Sequence, residues 1–359
     1  MKSSINISKC TKLPPVKCEG NPKFGTQLAP HYLRVDIVDG EPHDAAILQY
    51  GPTNLGPAAS VLHYGQSIFE GMKAYRQKDG SVGIFRMDLH SQRFQKSAEK
   101  MAMVSFSPEL FEFCLKAYVD FESESVPSAE DTSLYLRPLL FANDEVIKLG
   151  PGKRFTFLIM SSLAGRYFTD GEIKPAKVLV NKEFVRAFPG GTGEAKTAGN
   201  YAASLAPQAH AMKLGADQVL YLDAREHKYI DELGGMNFFV IKGNELITPK
   251  LNGAILNGVT RRSILELAPA FGLNPKEEPI EFEKLMSEIE SGKIDEVFAC
   301  GTAVTVCPLG QFMIQENSND SIRLVELKSD FSKTKSILNR LSQIQRGVEP
   351  APGDWIFKV

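Results

Sequence analysis

Between Tyr167 and Lys177 the chain reads YFTDGEIKPAK, and this stretch constrains the fold more than any other. An aspartate–glycine pair followed closely by proline ends helices and strands alike. The sequence changes style across it, and 359 residues are more than one core usually organises. Two domains are therefore expected. Residues 1–170 would form a smaller N-terminal α/β domain, 171–178 a linker, and 179–359 a larger, strand-rich C-terminal domain containing Lys196. The fold class is α/β, of mixed α+β character.

Before the break, VGIFRM (82–87) predicts a strand and LHSQRFQKSAEKMAM a helix, with Phe94, Ala98 and Met101 on one face and Asp88 as its cap. FESESVPSAEDTS has the polarity of a surface loop. SLYLRPLLF and RFTFLIM predict strands, the first broken by Pro138 and so expected at an edge or a strand end. After the break, KVLV, DQVLYLD, DEVFAC and NFFVIKGNELITP predict strands, the last as two around Gly243-Asn244. GVTRRSILELAPAFG, FEKLMSEIE and KTKSILNRLSQIQRG predict helices.

Charge narrows the partners. With 41 lysines and arginines against 43 acidic residues, there is no basic excess to hold nucleic acid, so small molecules are the expected partners. Five scattered cysteines without CxxC spacing suggest a reducing compartment rather than a disulfide framework. Six dispersed histidines, with no HxxxH or HExxH, suggest no metal. The first twenty residues are polar and lack arginine, and no run approaches the ~20 apolar residues of a membrane span. The cytoplasm is the expected location.

The chemistry gathers around PGGTGEAKTAGNYAAS (189–204), where one lysine, Lys196, stands among small residues. Two kinds of site use such a stretch. A nucleotide loop wraps phosphates, and GGTGEAKT nearly spells one, with VLYLD further on as a magnesium-binding strand end. That reading fails because Ala195 replaces the glycine before the lysine, and because nine residues, NKEFVRAFP, separate KVLV from the glycines. The other site is one in which the lysine reaches an aldehyde and its small neighbours leave room for the cofactor.

Other residues support the second. Pyridoxal phosphate needs a carboxylate for its ring nitrogen, a hydroxyl for its ring oxygen, and an arginine with helix N-terminal amides for its phosphate. Tyr201, Glu232 in YIDELGGMNFFV, GVTRRSILEL and ACGTAVTVCP offer such groups. Asp231 rivals Glu232, but consecutive strand residues face opposite ways, so only one can meet the ring.

With LHYGQSIFEGMKAY, LYLRPLLF, GGTGEAKTAGNY, ELGGMNFFV, LNGVTRRSIL and GTAVTVCPL in order, the sequence resembles the branched-chain amino-acid aminotransferases, fold-type IV pyridoxal-phosphate enzymes, over nearly its whole length. The resemblance implies two domains with the cofactor site between them, and a homodimer. It implies that Lys196 binds the cofactor covalently and carries the substrate's Cα proton. Glu232 would meet the ring nitrogen and Tyr201 the ring oxygen. Arg93, the Val259 and Thr260 amides and Thr302 would hold the phosphate.

Phe24, Tyr64, Phe69, Tyr135 and Tyr167 match the family's apolar substrate pocket. Arg137 is a candidate for the side-chain carboxylate of 2-oxoglutarate, with a structural ion pair as its other reading. Amides at Gly234-Gly235 and Ala303 would take the α-carboxylate. The implied reaction moves the amino group of leucine, isoleucine or valine to 2-oxoglutarate. D-Amino-acid transaminases and aminodeoxychorismate lyases share the fold and are the alternatives. Two departures stand out: Gly235 replaces a threonine of vertebrate members, and Val304 with Cys307 replaces the CxxC of mammalian ones.

Overall fold

The computed structural model describes residues 5–165 and 174–359. The chain forms two compact units. The first comprises Met1–Tyr167, Ala195–Ala198 and Ser342–Val359, the second Phe168–Glu194 and Gly199–Leu341.

In the first unit the elements run β1 (Ile7–Lys9), β2 (His31–Val38), β3 (Glu41–Gln49), α1 (Ser60–Tyr64), β4 (Ser67–Phe69), β5 (Met72–Arg76), β6 (Val82–Phe85), α2 (Met87–Lys100), α3 (Pro108–Phe121), β7 (Ser133–Ala142) and β8 (Arg154–Ala164). The second unit carries β9 (Ala176–Asn181), most of α4 (Ala198–Ala202), α5 (Leu205–Lys213), β10 (Gln218–Leu222), β11 (Ile230–Leu233), β12 (Asn237–Lys242), β13 (Glu245–Thr248), α6 (Val259–Leu267), β14 (Asn274–Glu277), α7 (Phe282–Glu290), β15 (Glu296–Gly301), β16 (Thr305–Gln315), β17 (Arg323–Glu326) and most of α8 (Ser332–Gln345). β18 (Ile356–Lys358) returns to the first.

The first unit's sheet has the order β1-β3-β2-β8-β7-β5-β6-β18, with β4 beside β7. Strand alternation divides its residues by face. Leu33, Val35, Ile37, Leu134, Leu136, Phe157 and Ile159 join the core with Phe94, Phe111 and Leu115 of α2 and α3. Phe94, Phe106, Phe111 and Phe157 pack ring against ring, with centroids 4.4 to 6.0 Å apart. Aromatic residues bury the most area per side chain, so this cluster anchors the helices to the sheet. Tyr135 and Arg137 alternate with the core residues of β7 and so point to the other face.

Pro138 is neither at an edge nor at a strand end. β7 is continuous and pairs with β8 along its whole length. On its other side it pairs with β5 through Leu136 and with β4 from Leu139, so proline occupies the gap where its missing N–H deprives no neighbour. Its carbonyl there accepts from Glu70 N at 2.8 Å.

Helix α2 also differs from expectation at its start. Asp88 lies inside the first turn, facing Arg86 at 3.7 Å. The cap position is Arg86, at φ 49°, and no side chain caps the helix. The expected loop 121–133 contains a short 3-10 turn (Ser123–Ser125) and buried Glu122 and Ser125. They are drawn in because Glu122 pairs with buried His31, while Ser125 Oγ donates to Glu122 at 2.7 Å.

In the second unit, β9, β10, β11, β12, β15 and β16 close a ring, since β11 pairs with both β10 and β12. Val178, Val180, Leu220, Phe238, Val297, Ala299 and Phe312 fill it with Phe282 and Met286 of α7. β12 and β13 form the expected hairpin around Gly243, at φ 59°.

The division differs from a single break near residue 172. Residues 342–359 group with the first unit because β18 pairs antiparallel with β6, Ile356 opposite Phe85. Trp355 seals that edge: its carbonyl accepts from Arg86 N at 2.7 Å and its ring lies 4.6 Å from the Arg86 guanidinium. With this tail the N-terminal unit is not the smaller one. The Lys196 segment groups with it too. Of the expected linker, 171–173 lie outside the described residues and Ala176 already begins β9.

Candidate active site

Lys196 is held by its backbone. Its N–H donates to Ser97 Oγ at 2.9 Å, and its carbonyl accepts from Phe69 N at 3.0 Å. Thr197 Oγ1 donates to the Ser67 carbonyl at 2.7 Å. The flexible-looking loop is thus clamped between β4 and α2, and its ε-amine stands 4.9 Å from the Phe69 ring centroid. Gly193, earlier in the loop, has a specific reason: a Cβ there would lie 2.3 Å from the Ala254 carbonyl. The nucleotide-loop reading loses its second element as well, because Asp223 spends its carboxylate on the amides of Arg225, Glu226, Lys228 and Tyr229.

Arg93 is nine-tenths buried, and Glu70 grips it. Arg93 Nε donates to Oε1 at 2.7 Å and Nη2 to Oε2 at 2.8 Å, while His90 Nδ1 lies 2.7 Å from Oε2. Burial alone would raise the Glu70 carboxyl, but the Arg93 charge, His90 and their hydrogen bonds outweigh it and hold the group well below the carboxylate range. His90 goes down too. Burial is the main cause, Glu70 opposes it, and Arg93 and Lys196 reinforce it. Sequence reasoning missed Glu70, His90 and Ser97. The only available signal was the spacing of 90, 93 and 97 on one helical face.

Phe24, Phe69, Tyr135 and Arg137 come together. Phe24 packs edge-on to Tyr135 at 4.6 Å. The Arg137 guanidinium lies 4.7 Å from the Phe69 ring centroid and 5.4 Å from that of Tyr135, and donates to Tyr135 Oη at 2.9 Å. Arg137 Nε is buried without a hydrogen-bond partner, and no carboxylate among the described residues pairs with this side chain. Tyr64, at the end of α1, has His63 as a ring neighbour, with centroids 6.1 Å apart. Tyr167 lies outside the described residues.

In the second unit, Glu232 sits on β11 with only 3% of its surface exposed. Oε1 accepts from Leu256 N at 2.8 Å and pairs with Arg186, and Oε2 accepts from Asn237 Nδ2 at 2.8 Å. Arg186 Nη2 also donates to the carbonyls of Gly193 and Ala254, both at 3.1 Å. Arg186 and Asn237 were not singled out in the sequence, where nothing marks which polar residue a strand will bury.

Asp231 is also buried, with Asn252 Nδ2 at 2.9 Å from Oδ1. Burial pushes its carboxyl up to about 6. Its folded state therefore holds a proton that the unfolded chain releases near 3.9. That stabilisation is complete below the unfolded value and lost as pH rises through about 6, leaving an ionised buried group that costs about 3 kcal/mol. Asp231→Asn keeps an acceptor for Asn252 and removes the charge. It should match the parent at pH 4 and exceed it by about 2–3 kcal/mol at pH 8, as measured by urea unfolding.

Tyr201 and Gly235 are neighbours: a Cβ built on Gly235 would lie 3.9 Å from the Tyr201 ring. A Cβ meets only ordinary contact there. Val259 and Thr260 open α6 behind Gly258, and no side chain caps the helix. A Cβ on Gly258 would lie 1.9 Å from Asn237 Oδ1, so only glycine fits and the first-turn amides stay open to an anion. Thr302 and Ala303 form the tip between β15 and β16, next to Thr305 at φ 68°. Cys300 pairs across with Val306 and Cys307 with Ala299, so the two thiols point to opposite faces and cannot bridge.

A lysine, a buried carboxylate, a tyrosine, a gripped arginine and an uncapped helix start are the donor set that pyridoxal phosphate requires, and these residues fit it. Comparison with known proteins agrees. Residues 67–312 match the model of amino-transferase class IV, a family that works through pyridoxal phosphate. The branched-chain-amino-acid aminotransferase of Mycolicibacterium smegmatis is 39% identical, over 99% of this chain and 97% of its own. Branched-chain-amino-acid transaminase 1 of Bacillus subtilis is 39% identical over 94% of each. The crystal structure of Escherichia coli branched-chain amino acid aminotransferase matches with a TM-score of 0.71 and 27% identity, over 90% of this chain and 98% of that one. The chain belongs to the class IV aminotransferases.

Proposed function

We propose that the protein is a branched-chain-amino-acid transaminase, moving the amino group of leucine, isoleucine or valine to 2-oxoglutarate and back. Bound pyridoxal phosphate supplies an electron sink for the carbon that loses its proton. Lys196 holds the cofactor and carries the Cα proton. Glu232, paired with Arg186 and accepting from Asn237, would meet the ring nitrogen, and Tyr201 would donate to the ring oxygen. Arg93, the Val259 and Thr260 amides and Thr302 bind the phosphate. Phe24, Phe69 and Tyr135, with Tyr64 and Tyr167 from the family resemblance, accept the branched side chain. The Gly235 and Ala303 amides accept the α-carboxylate.

The observation that carries the substrate reading is Arg137. A partly buried guanidinium with an unsatisfied Nε, set among aromatic rings, suits a site that takes an apolar side chain in one half-reaction and a carboxylate in the other. The cytoplasm and a homodimer complete the reading. Five unbridged cysteines support the first, and Ile147 and Leu149, apolar yet 74% and 78% exposed, support the second.

The test separates the two half-reactions. The visible absorption of the protein should bleach with leucine alone and recover with 2-oxoglutarate. Indifference to leucine with a response to D-alanine or aminodeoxychorismate would move the function to one of the alternatives. In Arg137→Met, bleaching by leucine should change less than about threefold, while recovery with 2-oxoglutarate should slow about a hundredfold, the scale of one buried charge-assisted contact.

A further inference from the structure

We infer that Glu70 is a positioning residue for the cofactor's phosphate, acting through Arg93. The inference rests on the proposed phosphate role of Arg93. Six contacts, all within the first unit, carry it. Glu70 takes Arg93 by both Nε and Nη2, so the guanidinium plane is fixed in angle as well as place. His90, one turn before Arg93, holds Glu70 Oε2 from the side, and the Gly71 amide donates to the same oxygen at 3.2 Å. The residue before Glu70, Phe69, gives its N–H to the Lys196 carbonyl, while Ser97, one turn after Arg93, receives the Lys196 N–H.

One strand end and one helical face therefore fix two things at once, the backbone of Lys196 and the guanidinium of Arg93. A cofactor with its aldehyde at one end and its phosphate at another needs that spacing preset. A free arginine would lose rotamer entropy on binding, and Glu70 removes that cost beforehand. Glycine at 71 belongs to the same frame, since a Cβ there would lie 2.0 Å from Tyr135 Oη.

Pyridoxal, which lacks the phosphate, separates positioning from general support of the fold. The full chain freed of cofactor is titrated with pyridoxal phosphate and with pyridoxal, following the visible band. Glu70→Gln should bind pyridoxal phosphate roughly tenfold more weakly, the scale of one charge-assisted hydrogen bond, and pyridoxal within about twofold of the parent. Glu70→Asp keeps the buried charge, and with it the fold, but withdraws the oxygens; it should show a smaller loss with the same selectivity. Arg93→Gln should lose pyridoxal phosphate selectively, and adding Glu70→Gln to it should cost nothing further.

Equal loss of both ligands in the Glu70 variants would overturn the inference, and so would parent-like binding of pyridoxal phosphate. Full additivity in the double variant would overturn it while leaving the Arg93 role intact. Unchanged affinity in Arg93→Gln would remove that role and the inference together.

Discussion

Lys196→Ala should lower transamination of leucine by at least about 10³-fold while leaving the protein folded. Two separate features of Lys196 give the two halves of this result. In the proposed reading its ε-amine is the group that holds the cofactor and moves the Cα proton, and alanine has nothing to replace it. Its place in the fold comes from the main chain, through the Ser97 hydroxyl and the Phe69 amide, and alanine keeps both. Among what the folded state loses is the contact of the amine with the Phe69 ring, worth about 0.5–1 kcal/mol. Steady-state turnover and a thermal melt check both halves. Turnover within tenfold of the parent would remove Lys196 from the chemistry.

Glu232→Gln should have the second-largest effect, a fall of about 10²–10³ in kcat. The carboxylate meets two positive demands, the Arg186 guanidinium and, in the proposed reading, a protonated ring nitrogen. Glutamine with its carbonyl in the Oε1 place can still accept from Leu256 N and face Arg186, but without a charge, and its amide in the Oε2 place presents N–H groups to the Asn237 donor. Arg186 is then a buried cation without its counter-charge. Breaking such a pair costs about 3–5 kcal/mol of stability, so the variant should also unfold at lower urea. Glu232→Asp keeps the charge and should recover part of both losses. Parent-like kcat in Glu232→Gln would assign the ring nitrogen to another group.

What the sequence made legible follows from the range of each interaction. Strand alternation, the Gly243-Asn244 hairpin and the helical face of Phe94 and Ala98 are local, and they stand where expected. Pro138 was misplaced because its tolerance depends on β4 and β5 ending beside it, which β7 alone does not encode. Asp88 was misplaced as a cap because Arg86, in a left-handed conformation and hydrogen-bonded to the Trp355 carbonyl, starts the helix instead. The resemblance named Arg93 and Glu232, but not Glu70 or Arg186, which hold them from elsewhere in the chain. The sequence shows that the CxxC of mammalian members is absent, and strand register adds that Cys300 and Cys307 face opposite ways.

The antiparallel pairing of β18 with β6 has a consequence for how the protein is made. Residues 342–359 leave the ribosome only after the entire second unit has been synthesised, yet they supply a strand of the first unit's sheet. The Lys196 segment likewise reaches its place on β4 after residues 1–167 have emerged. The first unit therefore cannot finish folding in the order in which it is translated. Until the tail arrives, β6 exposes an open edge, and Phe85 and Arg86 lack the Trp355 ring that covers them. A nascent chain stalled before residue 342 would carry the Lys196 segment on a sheet still missing its border.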